Sequence, residues 1–204
     1  MEKDFLQSYG LFLVVTIILF TYLGVPEYTW PIAFLQTLFL LFWSYAGHVW
    51  CHMPDMFVYA INPHVQVHHN HAIDLPRWLG LVLEAFVNFF GFAVLLIAER
   101  LLGVKVLSTW IVLAAAFLYI CIHILDYSIW PNPEHQSHHA KANCNYSPQF
   151  MDVIFNTRCD PTQPYDDFTL KIPHVIVSFA LAFALRENET TSTFINSLTP
   201  SQSH

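Results

Sequence analysis

Four long apolar stretches, separated by short segments rich in proline and polar residues, set the plan of the chain. The first covers about 6–25 and approaches the ~20 residues that a helix needs to cross a hydrocarbon layer. Only Pro26-Glu27-Tyr28-Thr29 separates it from the next run, which starts at Trp30. With one lysine beside two acids at the start and no small-residue cleavage site, the pair predicts a helical hairpin rather than a removable leader. Further spans are expected at about 31–47, 79–97 and 106–125. A fifth apolar run, about 172–185 between Lys171 and Arg186, is short for a span and is expected to be an interfacial or bundle-packed helix. From 187 to 204 the chain turns polar, and a disordered tail is expected there. The fold class predicted is therefore all-α: one domain over 1–186, an integral-membrane bundle of four transmembrane helices with a histidine-rich helical cap.

Composition supports that plan. Of 204 residues, 55% are hydrophobic and 11% charged, which is unlike an ordinary soluble domain. The net charge of −7 and the absence of a Lys/Arg cluster argue against nucleic acid as a partner. Cys51, Cys121, Cys144 and Cys159 form no C-x-x-C pair and no evident disulfide framework, so packed, reduced thiols are expected. Trp30, Trp50, Trp78 and Trp130 lie near span ends, where amphipathic indoles are favoured.

With four spans, both termini and the segments 48–78 and beyond 125 share one side. Lys3, Arg77, Lys141, Arg158, Lys171 and Arg186 fall there, against Arg100 and Lys105 opposite, so that side is expected to be cytosolic. The membrane would be the endoplasmic reticulum in a eukaryote or the inner membrane in a bacterium. Glu84, inside the third span, is costly to bury and is expected either to line a site or to be hydrogen-bonded within the bundle.

The histidines carry the chemistry. Ten of the twelve lie between His48 and His139, in groups that the four-span topology places on one face. His48 and His52 are four apart, so on a helix both imidazoles leave one side. His64, His68 and His71 repeat at i, i+4 and i+7, with His69 adjacent and Pro63 suited to a first helical turn. His123 stands at the end of the fourth span, and His135, His138 and His139 follow at i, i+3 and i+4. Neutral imidazole binds iron, zinc, copper or nickel, and ten ligands exceed what one ion can take, so two ions are expected. His174, after Pro173, is expected to be an ordinary hydrogen-bonded or interfacial residue, and His204 is terminal.

The order HxxxH, a group containing His68-His69, a lone histidine at a helix end, then His135-Gln-Ser-His138-His139 resembles the fatty acid hydroxylase/sterol desaturase superfamily. Asn145-Tyr146-Ser147 and Met151-Asp152-Val-Ile-Phe155-Asn156-Thr157 continue the likeness, which covers about 48–157. Ser147 and Asn156 stand where such proteins usually have glycine, Met151 where they have tryptophan, and the middle box is H-x3-H-H rather than H-x2-H-H.

The resemblance implies two iron ions, O2 as co-substrate, and hydroxylation or desaturation of a lipid C–H bond in a fatty acyl, sphingolipid or sterol. It implies His48, His52, His64, His68, His69, His71, His123, His135, His138 and His139 as ligands, with zinc also acceptable to such a set in isolated protein. It further implies that Asn145, Tyr146 and Asp152 close the site around those ligands; plain capping or turn roles are the alternative for these three. No dinucleotide fingerprint is present, so electrons would come from cytochrome b5, or from a ferredoxin with its reductase. Phe86, Phe89, Phe90 and Phe92 are expected either to line a lipid-chain cavity or simply to face lipid and neighbouring helices. The alternatives are an acyl desaturase or carotenoid hydroxylase of similar histidine-box type, and, from another class, a membrane metal transporter or sensor.

Overall fold

In the computed structural model, which describes residues 2–53, 65, 75–130, 132–141 and 143–198, the regular elements are all helical. The expected hairpin is present as α1 (Glu2–Gly24) and α2 (Trp30–Cys51). Its turn is held by the Gly24 carbonyl, which accepts the Glu27 and Tyr28 amides at 3.0 and 2.9 Å. Extended Thr29 and Pro31 in the first turn then start α2. A methyl group at Gly24 would lie 2.5 Å from Ile111 Cδ1, so glycine is what lets this end of α1 approach the central helix.

The next helix, α3 (Arg77–Leu102), ends at Gly103, whose φ of 68° is the left-handed stop that glycine adopts without strain. The Glu99 carboxylate then accepts the Val106 and Leu107 amides at 2.7 and 2.6 Å and ties the following loop to the helix. In α4 (Thr109–Cys121) residues 109–116 and Leu118 are buried, because α1, α2, α3 and a later helix surround it. It continues as a π-helical segment, Ile122–Ile129. Two short helices, α5 (Pro133–Ala140) and α6 (Gln149–Phe155), cap the histidine end.

The fifth apolar run is longer than its sequence indicates. A 3-10 turn, Phe168–Lys171, leads into α7 (Ile172–Glu187), and the unit spans 20 residues. Lys171, which seemed to bound the run, is instead buried, with its ammonium 2.8 Å from Asp126. The unit runs parallel to α1 along its length. Phe168 packs on Tyr9 with ring centroids 5.0 Å apart, while Arg186 donates from Nη1 to the Leu23 carbonyl at 3.2 Å. Beyond it, where a disordered tail was expected, Glu189–Leu198 forms α8; the Asn188 side chain caps it by accepting the Thr191 amide at 2.9 Å.

Among the described residues, five helical segments are long and apolar enough to cross a membrane. Their outward faces are apolar and their inward faces partly polar. On α3 the buried positions are Glu84, Asn88, Phe92 and Glu99, while Val82, Phe86, Phe90, Val94, Ile97 and Leu101 are exposed. A soluble helix carries the opposite pattern. Phe86 and Phe90 therefore point outward, whereas Phe92 packs on Tyr119 and Phe89 on Phe117.

Candidate metal centre

The last turn of α2 carries His48, and His52 follows at its cap, so their four-residue spacing puts both rings on one face. Both are buried, with Nε2 atoms 3.1 Å apart. Opposite them, α5 is set by Asn132, whose Oδ1 accepts the Glu134 and His135 amides at 2.8 and 3.3 Å, and by Pro133 in its first turn. This start aims His138 into the bundle, fully buried, with Nε2 3.2 Å from His52 Nε2.

His48, His52 and His138 each offer a nitrogen within 4.8 Å of the others. Three nitrogens bound tetrahedrally to one ion at about 2.0–2.1 Å lie about 3.3–3.4 Å apart, close to the separations here. The outer nitrogens fix the tautomers. His138 Nδ1–H donates to the Cys144 carbonyl at 2.7 Å, and His48 Nδ1 lies 3.3 Å from the Tyr119 hydroxyl, so the inner Nε2 lone pairs converge. Burial, together with neighbouring histidines, pushes His52 down to about 4 and His138 down to about 3. Both are therefore neutral at physiological pH, the form that binds metal.

A second, more open group adjoins this triad. His135 and His139 bring their Nε2 atoms to 2.9 Å, and the His135 ring lies 5.2 Å from that of His123. His123 occupies the π-helical segment, stacks on Tyr119 at 5.6 Å and faces Glu84, with Nε2–Oε1 at 3.0 Å. The structure thus brings together six of the expected ligands, His48, His52, His123, His135, His138 and His139. His64, His68, His69 and His71 lie outside the described residues. His174 stands apart, 3.5 Å from Asp126.

The loop after α5 forms the wall beside the triad. Tyr146 places its ring 5.8–6.2 Å from those of His138, His52 and His48. Asp152 holds this loop from below: its carboxylate accepts the Tyr146 and Ser147 amides at 2.9 and 2.8 Å and the Thr157 hydroxyl at 2.7 Å. Tyr45 on α2 reaches Thr157 at 3.0 Å, so one hydrogen-bonded chain joins the ligand helix to the wall. Burial pushes Asp152 up to about 6 despite these bonds. Asn145 does not face the triad. Its side chain donates to the Glu134 carbonyl at 3.0 Å and accepts the Cys159 amide at 2.9 Å, a turn-stabilising role.

The loop also corrects the expectation of four reduced thiols. Cys144 and Cys159, with Cα atoms 5.0 Å apart, form a disulfide, while Cys51 and Cys121 are free. The Asn145 amide, bonded to the Thr157 carbonyl at 2.8 Å, brings the two strands of chain together, a closure that a spacing of 15 residues does not announce. Sequence reasoning also missed Tyr119, although it lies one turn before His123 and hence on the same helix face.

Comparison with protein-family models, with curated proteins and with solved structures finds no match for this chain.

Proposed function

We propose that this protein is a membrane-embedded oxygenase of the fatty acid hydroxylase/sterol desaturase type, holding two iron ions and acting on a lipid C–H bond. The observation that carries this reading is the buried triad His48, His52 and His138, made of neutral imidazoles at the end of outwardly apolar helices. Such placement suits a substrate that reaches the metals from the lipid layer rather than from water. Iron with O2 supplies hydrogen abstraction from an unactivated carbon, chemistry that side chains lack. The protein's own part is to hold the imidazoles in fixed tautomers through Cys144 and Tyr119, and to shield the triad with Tyr146. Electrons are supplied by cytochrome b5 or by a ferredoxin and its reductase.

Backbone conformation supports the resemblance at its departures. Ser147 and Asn156, which replace the usual glycines, have φ values of 59° and 54°, where glycine is favoured. The pattern therefore keeps its conformation although the residues differ.

The experiment is metal analysis of purified protein followed by product analysis with a lipid panel, O2 and a reductant. About two irons per chain and hydroxylated lipid are expected. Metal-free protein without O2 uptake would sink the proposal, and double-bond products alone would replace hydroxylation by desaturation.

We place five segments across the membrane rather than four, because the Phe168–Glu187 unit matches α1 end to end. The tail then lies opposite the histidines. Lys3, Arg77, Lys141, Arg158 and Lys171 at the histidine end outweigh Arg100, Lys105 and Arg186, which favours a cytosolic metal centre. The Cys144–Cys159 disulfide at the same end pulls the other way, since disulfides persist in oxidising compartments. Reporter fusions at the two termini are expected to read opposite sides, the amino-terminal one cytosolic. Reporters on the same side would restore four spans.

A further inference from the structure

Two carboxylates are buried along α3, and they differ in their surroundings. Glu99 accepts two loop amides at the end remote from the histidines. Glu84 lies at the histidine end, with Oε1 3.0 Å from His123 Nε2; both side chains are less than a tenth exposed. A carboxylate withdrawn from water inside an apolar bundle needs a compensating positive group nearby.

His123 is held on two sides. Its ring stacks on Tyr119 at an interplanar angle of 25°, and its far edge meets Glu84. Towards the cap lies the His135 ring at 5.2 Å, which in turn is joined to His139 through Nε2 atoms 2.9 Å apart. A carboxylate that accepts one ring N–H of a histidine makes the other nitrogen the lone-pair donor and raises its basicity.

We infer that Glu84 is the positioning residue of a second metal position formed with His123, His135 and His139. It accepts the Nε2 proton of His123, so that Nδ1 is presented to the ion. The inference rests on the two-metal reading above and makes the two positions chemically unlike. The triad position is backed by a neutral main-chain carbonyl at Cys144, the second by an anionic side chain. The ion beside Glu84 also supplies the positive charge that the buried carboxylate requires.

The test titrates metal-free protein in detergent with Co(II), following visible absorption and heat. The wild type is expected to take up two ions per chain. Glu84→Leu is expected to keep one affinity and weaken the other about 10–100-fold. Glu84→Gln, whose amide oxygen still accepts the His123 N–H, is expected to recover most of that loss. The melting temperature of metal-free Glu84→Leu should not fall, because the change removes a buried charge. Unchanged Co(II) binding by Glu84→Leu, or Glu84→Gln no better than Glu84→Leu, overturns the assignment. A wild type that binds a single ion overturns the two-metal reading and this inference with it.

Discussion

Replacing His138 by alanine is expected to strip the triad of its ion and to abolish oxygen-dependent product formation. His138 is fully buried and is the α5 member of a group otherwise supplied by α2, so no exposed side chain can take its place. Changing a residue that merely orients a metal ligand commonly costs 10–100-fold in affinity, so losing a ligand itself should cost at least about 100-fold. His52→Ala should do the same, since His52 Nε2 lies within 3.2 Å of both other donors. His174→Ala is the control: His174 sits beside Asp126, away from the cluster, and metal content should not change. Elemental analysis after dialysis measures the effect directly. Thermal unfolding gives a second readout, because metal should raise the melting temperature of the wild type and of His174→Ala but not of the triad variants. Metal retained by His138→Ala would remove the triad from the site.

Asp152→Ala is expected to have the largest effect on stability, at about 2–4 kcal/mol. It leaves the Tyr146 and Ser147 amides and the Thr157 hydroxyl without their acceptor in a place closed to water. Tyr146 then loses its support, so metal affinity should weaken as well. Asp152→Asn keeps one acceptor oxygen and should cost less. The pH dependence has a definite sign. Burial raises the carboxyl from 3.8 to about 6, so folding takes up a proton in that interval. The associated stability is fully present below the unfolded value and is lost as pH rises through about 6. Denaturant unfolding of the metal-free protein between pH 4 and 7 should show this slope in the wild type and a flatter one in Asp152→Asn. Equal slopes would mean that Asp152 titrates normally.

Much of the helical plan was legible because periodicity and length report it locally. The hairpin of α1 and α2 and the long α3 follow from apolar runs and their proline or glycine stops. The i, i+4 pair His48/His52 and the group His135/His138/His139 were equally legible, since a helix fixes which rings share a face. The fifth segment was undercounted because Lys171 looks like a boundary in sequence and becomes interior only when Asp126 pairs with it. That partner lies 45 residues away. The Cys144–Cys159 bridge and the bonds of Asp152 were hidden for a related reason. They depend on a loop that folds back on itself, and no period marks such a closure. Glu84 was recognised as anomalous, but its partner His123 belongs to the next helix, whose rotation depends on a π-helical segment.

The parallel packing of α1 on the Phe168–Glu187 unit has a consequence for how the protein is made. Tyr9 donates from its hydroxyl to Gln149, 140 positions later, and Arg186 reaches back 163 positions to Leu23. During synthesis the first helix must therefore wait, its inner aromatic face uncovered, until nearly the whole chain has left the ribosome. Contacts so distant along the chain form late and slowly. Biogenesis therefore has a final docking step that seats Tyr9 and Phe12 against Phe150 and Phe168 beneath the metal centre. A ribosome-bound chain halted before Phe168 should engage membrane chaperones through α1, and completion of the last helix should release them.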